Sequence, residues 1–197
     1  MFAIIMMEKI KEIREMTGAG VVDVKKALDE AGGNKEEALK ILKQKGLEKA
    51  GKKKDRQTGE GLIGFYVHTD GKQAAMIKVF CETDFVAKND EFKKLAEDLA
   101  MQVVAMKPEA LRPENISEEA IQEKKEYWKK ELEKETKPQE IKDKIVQGKE
   151  DKFRKEAALM SQVFVKDQEK IVEEYIKEKI AVLGENIEVG EFVKMEI

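Results

Sequence analysis

Met76-Ile77-Lys78-Val79-Phe80-Cys81-Glu82-Thr83-Asp84-Phe85-Val86-Ala87-Lys88-Asn89 is the stretch on which the fold turns. Its first five residues read as strand, and Asn89 or Asp90 reads as the N-cap of a helix, so the period changes from two to 3.6 within a few residues. Between strand and helix stand an acid and a large aromatic, Asp84 and Phe85, on a connection near the surface. The residues alone allow two readings of the ring. It folds back as a plug on its own sheet, or it anchors a partner, where its burial is worth about 1.5 to 3 kcal/mol.

Upstream, Leu62 to Val67 and Gln73 to Phe80 are strand-like, and Asp70-Gly71 between them signals a hairpin turn. Gly46 to Gly61 carries Lys49, Lys52, Lys53, Lys54 and Arg56 among few apolar residues, as a solvated connection does. The residues before it predict three short helices. Ile10, Ile13 and Met16 mark the stripe of the first, and Val24, Ala27, Leu28 and Ala31 that of the second. Gly32-Gly33 stops the second helix, Asn34 caps the third, and Ala38, Ile41 and Leu42 give the third its apolar face before Gly46 ends it.

Downstream, Phe92, Leu95, Ala96, Leu99 and Val103 form the face of a helix that should cover the sheet, with Pro108 and Pro113 closing it off. From Ser117 most residues are charged, and Ile121, Trp128, Leu132, Ile141, Ile145 and Phe153 leave only a narrow apolar stripe. A helical hairpin that reverses at Thr136-Lys137-Pro138 fits this pattern. Asp167 reads as the cap of a last helix bearing Ile171, Val172, Tyr175, Ile176 and Ile180 and ended by Gly184, after which Ile187 to Ile197 returns to strand and joins the sheet. The expected class is α+β. Its parts are a three-helix module over 1–50, a basic linker over 51–61, a core from 62–116 and 157–197, and a protruding hairpin over 117–156.

Composition narrows the chemistry. The chain has 38 Lys and Arg against 41 Asp and Glu, so its net charge of -3 gives no general pull towards nucleic acid or an anionic membrane. A single cysteine, Cys81, excludes an intramolecular disulfide, a thiol zinc site and a Cys-x-x-Cys pair, which fits a reducing, cytoplasmic setting. The apolar opening Met1 to Met7 lacks a basic leader and a cleavage site and is far shorter than the ~20 residues of a membrane span. Residues 1 to 6 read as an upstream extension. Abundant charge of both signs hints at a heat-adapted source.

Enzyme signatures are largely missing. His68 is the sole histidine, so histidine-rich metal sites are excluded, and no Gly-x-Ser-x-Gly elbow accompanies it. Gly18-Ala19-Gly20 follows a helix and lacks the third glycine of a dinucleotide fingerprint, so it reads as a turn. No Walker-type loop occurs. The acids of the hairpin follow from its composition, and the Lys52-Lys53-Lys54 run, without interleaved aromatics, reads as linker. Val21-Val22 after the turn is either a docking surface or part of the core. No cofactor, metal ligand or catalytic residue is expected.

Three separated segments carry a family resemblance: Ile10 to Leu28, Cys81 to Asn89, and Gly184-Glu185-Asn186-Ile187. In this order they resemble the elongation factor Ts family, from about residue 8 to 197, in its short bacterial form with one core repeat. The resemblance implies a ubiquitin-associated-like N-terminal module and a guanine-nucleotide exchange factor that acts on elongation factor Tu without enzymatic chemistry. It implies that Thr83, Asp84, Phe85 and Val86 enter the partner near its magnesium site. Lys11, Arg14, Val21, Val22 and Lys53 match positions that contact the partner's GTP-binding domain, and Leu183-Gly184 matches a loop beside the wedge. His68 lies in a hairpin that resembles one touching a second partner domain. Val21-Val22 stands where many members have two methionines. The charged hairpin resembles a dimerisation element, which implies a homodimer and a 2:2 complex. Two other functions remain open from the residues: a ubiquitin-like-binding adaptor built on the first 46 residues, and a nucleic-acid-binding protein using residues 49 to 56.

Overall fold

The computed structural model describes residues 2–197, and side chains from Met6 onward. Met1, part of the stretch read as an extension, lies outside the described residues. The protein is α+β. Helices α1 (Phe2–Thr17), α2 (Val21–Glu30) and α3 (Lys35–Gly51) lead into strands β1 (Glu60–Val67) and β2 (Gln73–Cys81). A one-turn helix α4 (Asp84–Ala87) and the long α5 (Asp90–Met106) follow, then α6 (Glu118–Glu133) and α7 (Gln139–Ala157). Strands β3 (Val163–Phe164) and β4 (Asp167–Ile171), helix α8 (Val172–Leu183) and strand β5 (Ile187–Glu196) complete the chain.

The chain divides into two compact units. One comprises residues up to Ile63 with Val79–Ala96 and Glu174–Glu188, and the other Gly64–Lys78, Glu97–Glu173 and Val189–Ile197. In the first unit, Ile13, Val24, Ala27, Leu28, Ala38 and Leu42 form the core of the three-helix region. The stripes read from the sequence account for it, except that Met16 is exposed. Asn34 accepts from the Glu37 amide at 3.2 Å, and Gly32 and Gly33, with φ of 58° and 82°, end α2. Gly46 does not end α3. It lies within the helix, where an added Cβ would stand 3.2 Å from that of Ala181, so the glycine permits close approach of α3 and α8. Only its weak helix propensity was visible in the sequence.

The sheet has the order β1-β2-β5, which puts the last strand beside the hairpin as the sequence suggests. Lys78 pairs with Glu191 at 2.7 Å and the Ile197 amide donates to the Lys72 carbonyl at 3.0 Å, so β5 runs antiparallel to β2. Ala75, Ile77 and Val79 are buried, while Phe65, Val67, Met76, Val193 and Met195 are exposed. Period-two alternation thus gives the sheet one covered face and one open apolar face.

In the second unit, Ser117 caps α6 through the Ala120 amide, and α6 and α7 pair antiparallel, with Lys149–Glu131 at 2.5 Å and Arg154–Glu118 at 3.0 Å. Ile121, Leu132 and Val146 are buried, Trp128 meets Phe153 edge to face at 6.2 Å, and Ile141 is exposed. Asp167 is not a helix cap. It opens β4, which pairs antiparallel with β3, Val163 opposite Ile171, and α8 starts only at Val172. Two strands this short carry too little alternation to be read from sequence. No helix among the described residues is long and apolar enough to cross a membrane.

Candidate functional site

The site is built where β2 runs out. Cys81 is fully buried and its thiol donates to the Thr83 carbonyl at 3.2 Å. Burial first, and then the charge of Glu185, push that thiol up to about 11, so it stays protonated and unreactive at neutral pH. Thr83 keeps extended backbone (φ -131°, ψ 156°) and its hydroxyl accepts from the Val86 amide at 3.4 Å, which caps α4. The connection expected here is therefore a closed helical turn. Phe85 projects from it 81% exposed. Asp84 pairs with Lys88 one turn on at 2.6 Å, and the hydrogen bond from Lys88 holds the Asp84 carboxyl below its ordinary range. Asn89 accepts from the Glu91 amide at 2.8 Å and begins α5.

Support for this turn comes from the end of α8. Gly184, in the left-handed region at φ 82°, ends the helix, and the next two residues reach across to the turn. Glu185 accepts from the amides of Glu82 (3.1 Å) and Thr83 (3.0 Å) and from the Thr83 hydroxyl (2.7 Å). The Asn186 amide donates to the Glu82 carboxylate at 2.6 Å. Asn186, 2% exposed, also donates its side chain to the carbonyls of Lys54 (3.2 Å) and Arg56 (2.9 Å). The sequence reading assigned partner contacts to Leu183 and Gly184 and gave no role to Glu82, Glu185 or Asn186. The available signals were that all three lie in segments carrying the family resemblance, and that an acid and an amide directly follow a helix-ending glycine with no local group to bond.

The three-helix region meets the same end of α8. An added Cβ on Gly18 (φ 66°) would stand 2.9 Å from Val182, so the α1–α2 turn packs directly on that helix. Lys53 donates to the Gly184 carbonyl at 2.6 Å, and burial with Arg56 nearby lowers its pKa from the usual lysine value. Thus Gly18, Lys53, Leu183, Gly184 and Thr83 converge on one helix end. Val21 and Val22 stand 48% and 64% exposed on the first turn of α2, so neither is part of the core. Lys11 and Arg14 are exposed on α1. His68, in the other unit, is exposed at the end of the hairpin strand, with Tyr66 Oη 3.3 Å from its Nδ1.

Among the described residues no group of three or more His, Cys, Asp or Glu side chains could hold a metal ion. Much of the basic linker is tied down within the chain: Lys49 pairs with Asp23 at 2.9 Å, Lys53 with Gly184, and Arg56 with Glu82 at 3.5 Å. What the arrangement offers is recognition. It presents a preformed aromatic turn and, on α1 and α2, an exposed basic and apolar surface.

Fold and site together define an α+β protein whose capped helical turn carries an exposed aromatic ring. The family model described as elongation factor TS matches residues 4–197. The elongation factor Ts of Maridesulfovibrio salexigens is 46% identical over 190 residues, covering 96% of this chain and 92% of that protein. Those of Coprothermobacter proteolyticus (48% over 185 residues, 94% of each chain) and Thermosipho melanesiensis (44% over 188 residues, 95% and 96%) are similar throughout. The chain belongs to the elongation factor Ts family, and its role lies in translation elongation.

Proposed function

We propose that the protein is a guanine-nucleotide exchange factor for elongation factor Tu. In this reading Thr83-Asp84-Phe85-Val86 enters the GTP-binding domain beside its magnesium ion, with Phe85 wedged between side chains and Asp84 fixing the approach. Magnesium neutralises the bound diphosphate, so displacing it leaves an anion with fewer compensating contacts. GDP leaves, and GTP rebinding expels the factor, because a factor that weakens nucleotide binding is itself weakened by nucleotide to the same extent. No covalent bond changes, so the protein acts by binding and not as an enzyme.

The single observation that supports this reading best is the 81% exposure of Phe85 on a turn whose backbone groups are already bonded. A wedge ordered before contact costs less on binding than one that must be ordered by its partner. Lys11, Arg14, Val21, Val22 and Lys53 are the contacts proposed for the GTP-binding domain, with Leu183 and Gly184 beside the wedge and His68 on a second partner domain. Lys53 carries three donors, so bracing Gly184 leaves it able to serve the partner also. The working division is that of a ubiquitin-associated-like module over 1–50, a linker over 51–61, a core over 62–116 and 157–197, and the hairpin over 117–156.

The reading includes a homodimer that holds two partner molecules. Resemblance points to the charged hairpin as its contact, but Ile121, Leu132 and Val146 are already buried within the chain. The open sheet face still exposes Phe65, Val67, Met76, Val193 and Met195, and the Lys78–Glu191 pair on it is already neutralised. Apolar area is what a lasting interface buries, so a second copy sits on the sheet face.

Stopped-flow release of fluorescent GDP from elongation factor Tu tests the exchange reading. The wild-type chain accelerates release, and Phe85→Ala brings the rate close to that of unassisted dissociation. A normal rate with Phe85→Ala removes the wedge mechanism.

A further inference from the structure

We propose that Glu185 is the positioning residue of the exchange turn: its carboxylate sets the direction in which Phe85 points, without touching the partner. The inference rests on the exchange reading above. It starts from what the turn lacks. Helix α4 has four residues, none of them buried, and a helix of one turn does not hold itself together. Packing therefore does not fix the ring.

Polar contacts take its place. One Glu185 oxygen accepts both the Glu82 and Thr83 amides, at 3.1 and 3.0 Å, where the chain leaves β2 and the ladder no longer supplies partners. The other takes the Thr83 hydroxyl proton at 2.7 Å. A hydroxyl has one proton and two lone pairs, so committing the proton to Glu185 leaves a lone pair for the Val86 amide, 3.4 Å away. The capping bond that closes the turn around Phe85 is thereby oriented from α8. Hydrogen bonds to an ionised carboxylate are about twice as strong as neutral ones, and three converge here.

The carboxylate is itself held. Lys53 fixes the preceding carbonyl at 2.6 Å, and Asn186 donates its amide to Glu82 while Glu82 donates its amide to Glu185. This reciprocal clasp, with the Asn186 side chain on the Lys54 and Arg56 carbonyls, links the basic linker to the exchange turn. The position of the ring thus depends on a residue about a hundred positions away in sequence.

The test uses full-length wild type, Phe85→Ala, Glu185→Ala, their double variant and Glu185→Gln, with fluorescent GDP bound to elongation factor Tu. Glu185→Ala slows release at saturating factor by about tenfold or more, with a smaller change in the concentration needed for half the effect. The double variant stays within about twofold of Phe85→Ala, since both act through one ring. Glu185→Gln falls between wild type and Glu185→Ala: its oxygen still takes the backbone amides, but its nitrogen cannot accept the hydroxyl proton. Hydrogen exchange in the free protein shows faster exchange at the amides of Glu82, Thr83 and Val86 and unchanged protection in α2 and α3.

A wild-type rate for Glu185→Ala while Phe85→Ala is slow overturns the proposal and leaves the exchange reading standing. So does loss of protection throughout the chain in both Glu185 variants, which makes the residue merely structural. A wild-type rate for Phe85→Ala removes the exchange reading, and this proposal with it.

Discussion

Phe85 contributes little to the stability of its own chain, because most of its surface remains in water. Phe85→Ala is therefore expected to change the unfolding free energy by no more than about 0.5 kcal/mol in chemical denaturation, so a loss of exchange cannot be assigned to unfolding. Asn186 is the opposite case. Its buried amide satisfies two carbonyls of the linker, and Asn186→Ala leaves them without that donor at a cost of about 1 to 3 kcal/mol, measurable in the same experiment. The Phe85 segment was legible in the sequence because an aromatic at a strand-to-helix junction is unusual. Asn186 was not, since its partners lie some 130 positions away.

Among the elements, the three helices and the hairpin were readable from periodicity and caps, whereas β3, β4 and the true end of α3 were not. Gly18 shows what the pattern leaves out: it reads as a turn glycine, but it also lies against Val182. Gly18→Ala places a side chain both in the left-handed region and 2.9 Å from Val182, and denaturant unfolding is expected to show a loss of at least about 1 to 2 kcal/mol. The α6–α7 pair yields a pH prediction. Glu150 accepts hydrogen bonds from Lys125 (2.7 Å) and Arg154 (2.9 Å), and the Lys125 bond above all lowers its pKa from the usual glutamate value. A depressed carboxyl stabilises the folded state above its unfolded value, about 4.3, and this contribution is lost as pH falls through the lower folded value. Thermal melts followed by circular dichroism should find Glu150→Gln less stable than wild type at pH near 7, with the gap closing below about pH 4. A gap that widens on acidification contradicts the assignment.

At the scale of the whole molecule, the near balance of charge leaves shape and local apolar area as the means of association. If a second copy sits on the open sheet face, sedimentation should show a dimer that survives about 1 M salt, where exposed charge contacts are screened beyond about 3 Å. Phe65→Asp should then give a monomer. A dimer that dissociates with salt and is indifferent to Phe65→Asp places the contact on the charged hairpin instead.

The α+β class, the three-helix core, the helical hairpin and the placing of Phe85 at a strand-to-helix junction were determined by the sequence itself, because each depends on local periodicity, capping and turn chemistry within a few residues. Tertiary structure alone decided that Val21 and Val22 face outward, that Gly46 admits a neighbouring helix, and that Glu185 and Asn186 bond to the segment leading into the Thr83–Val86 turn. Those facts depend on groups far apart in the chain meeting across a few ångströms, and no local pattern records which partner a side chain will find.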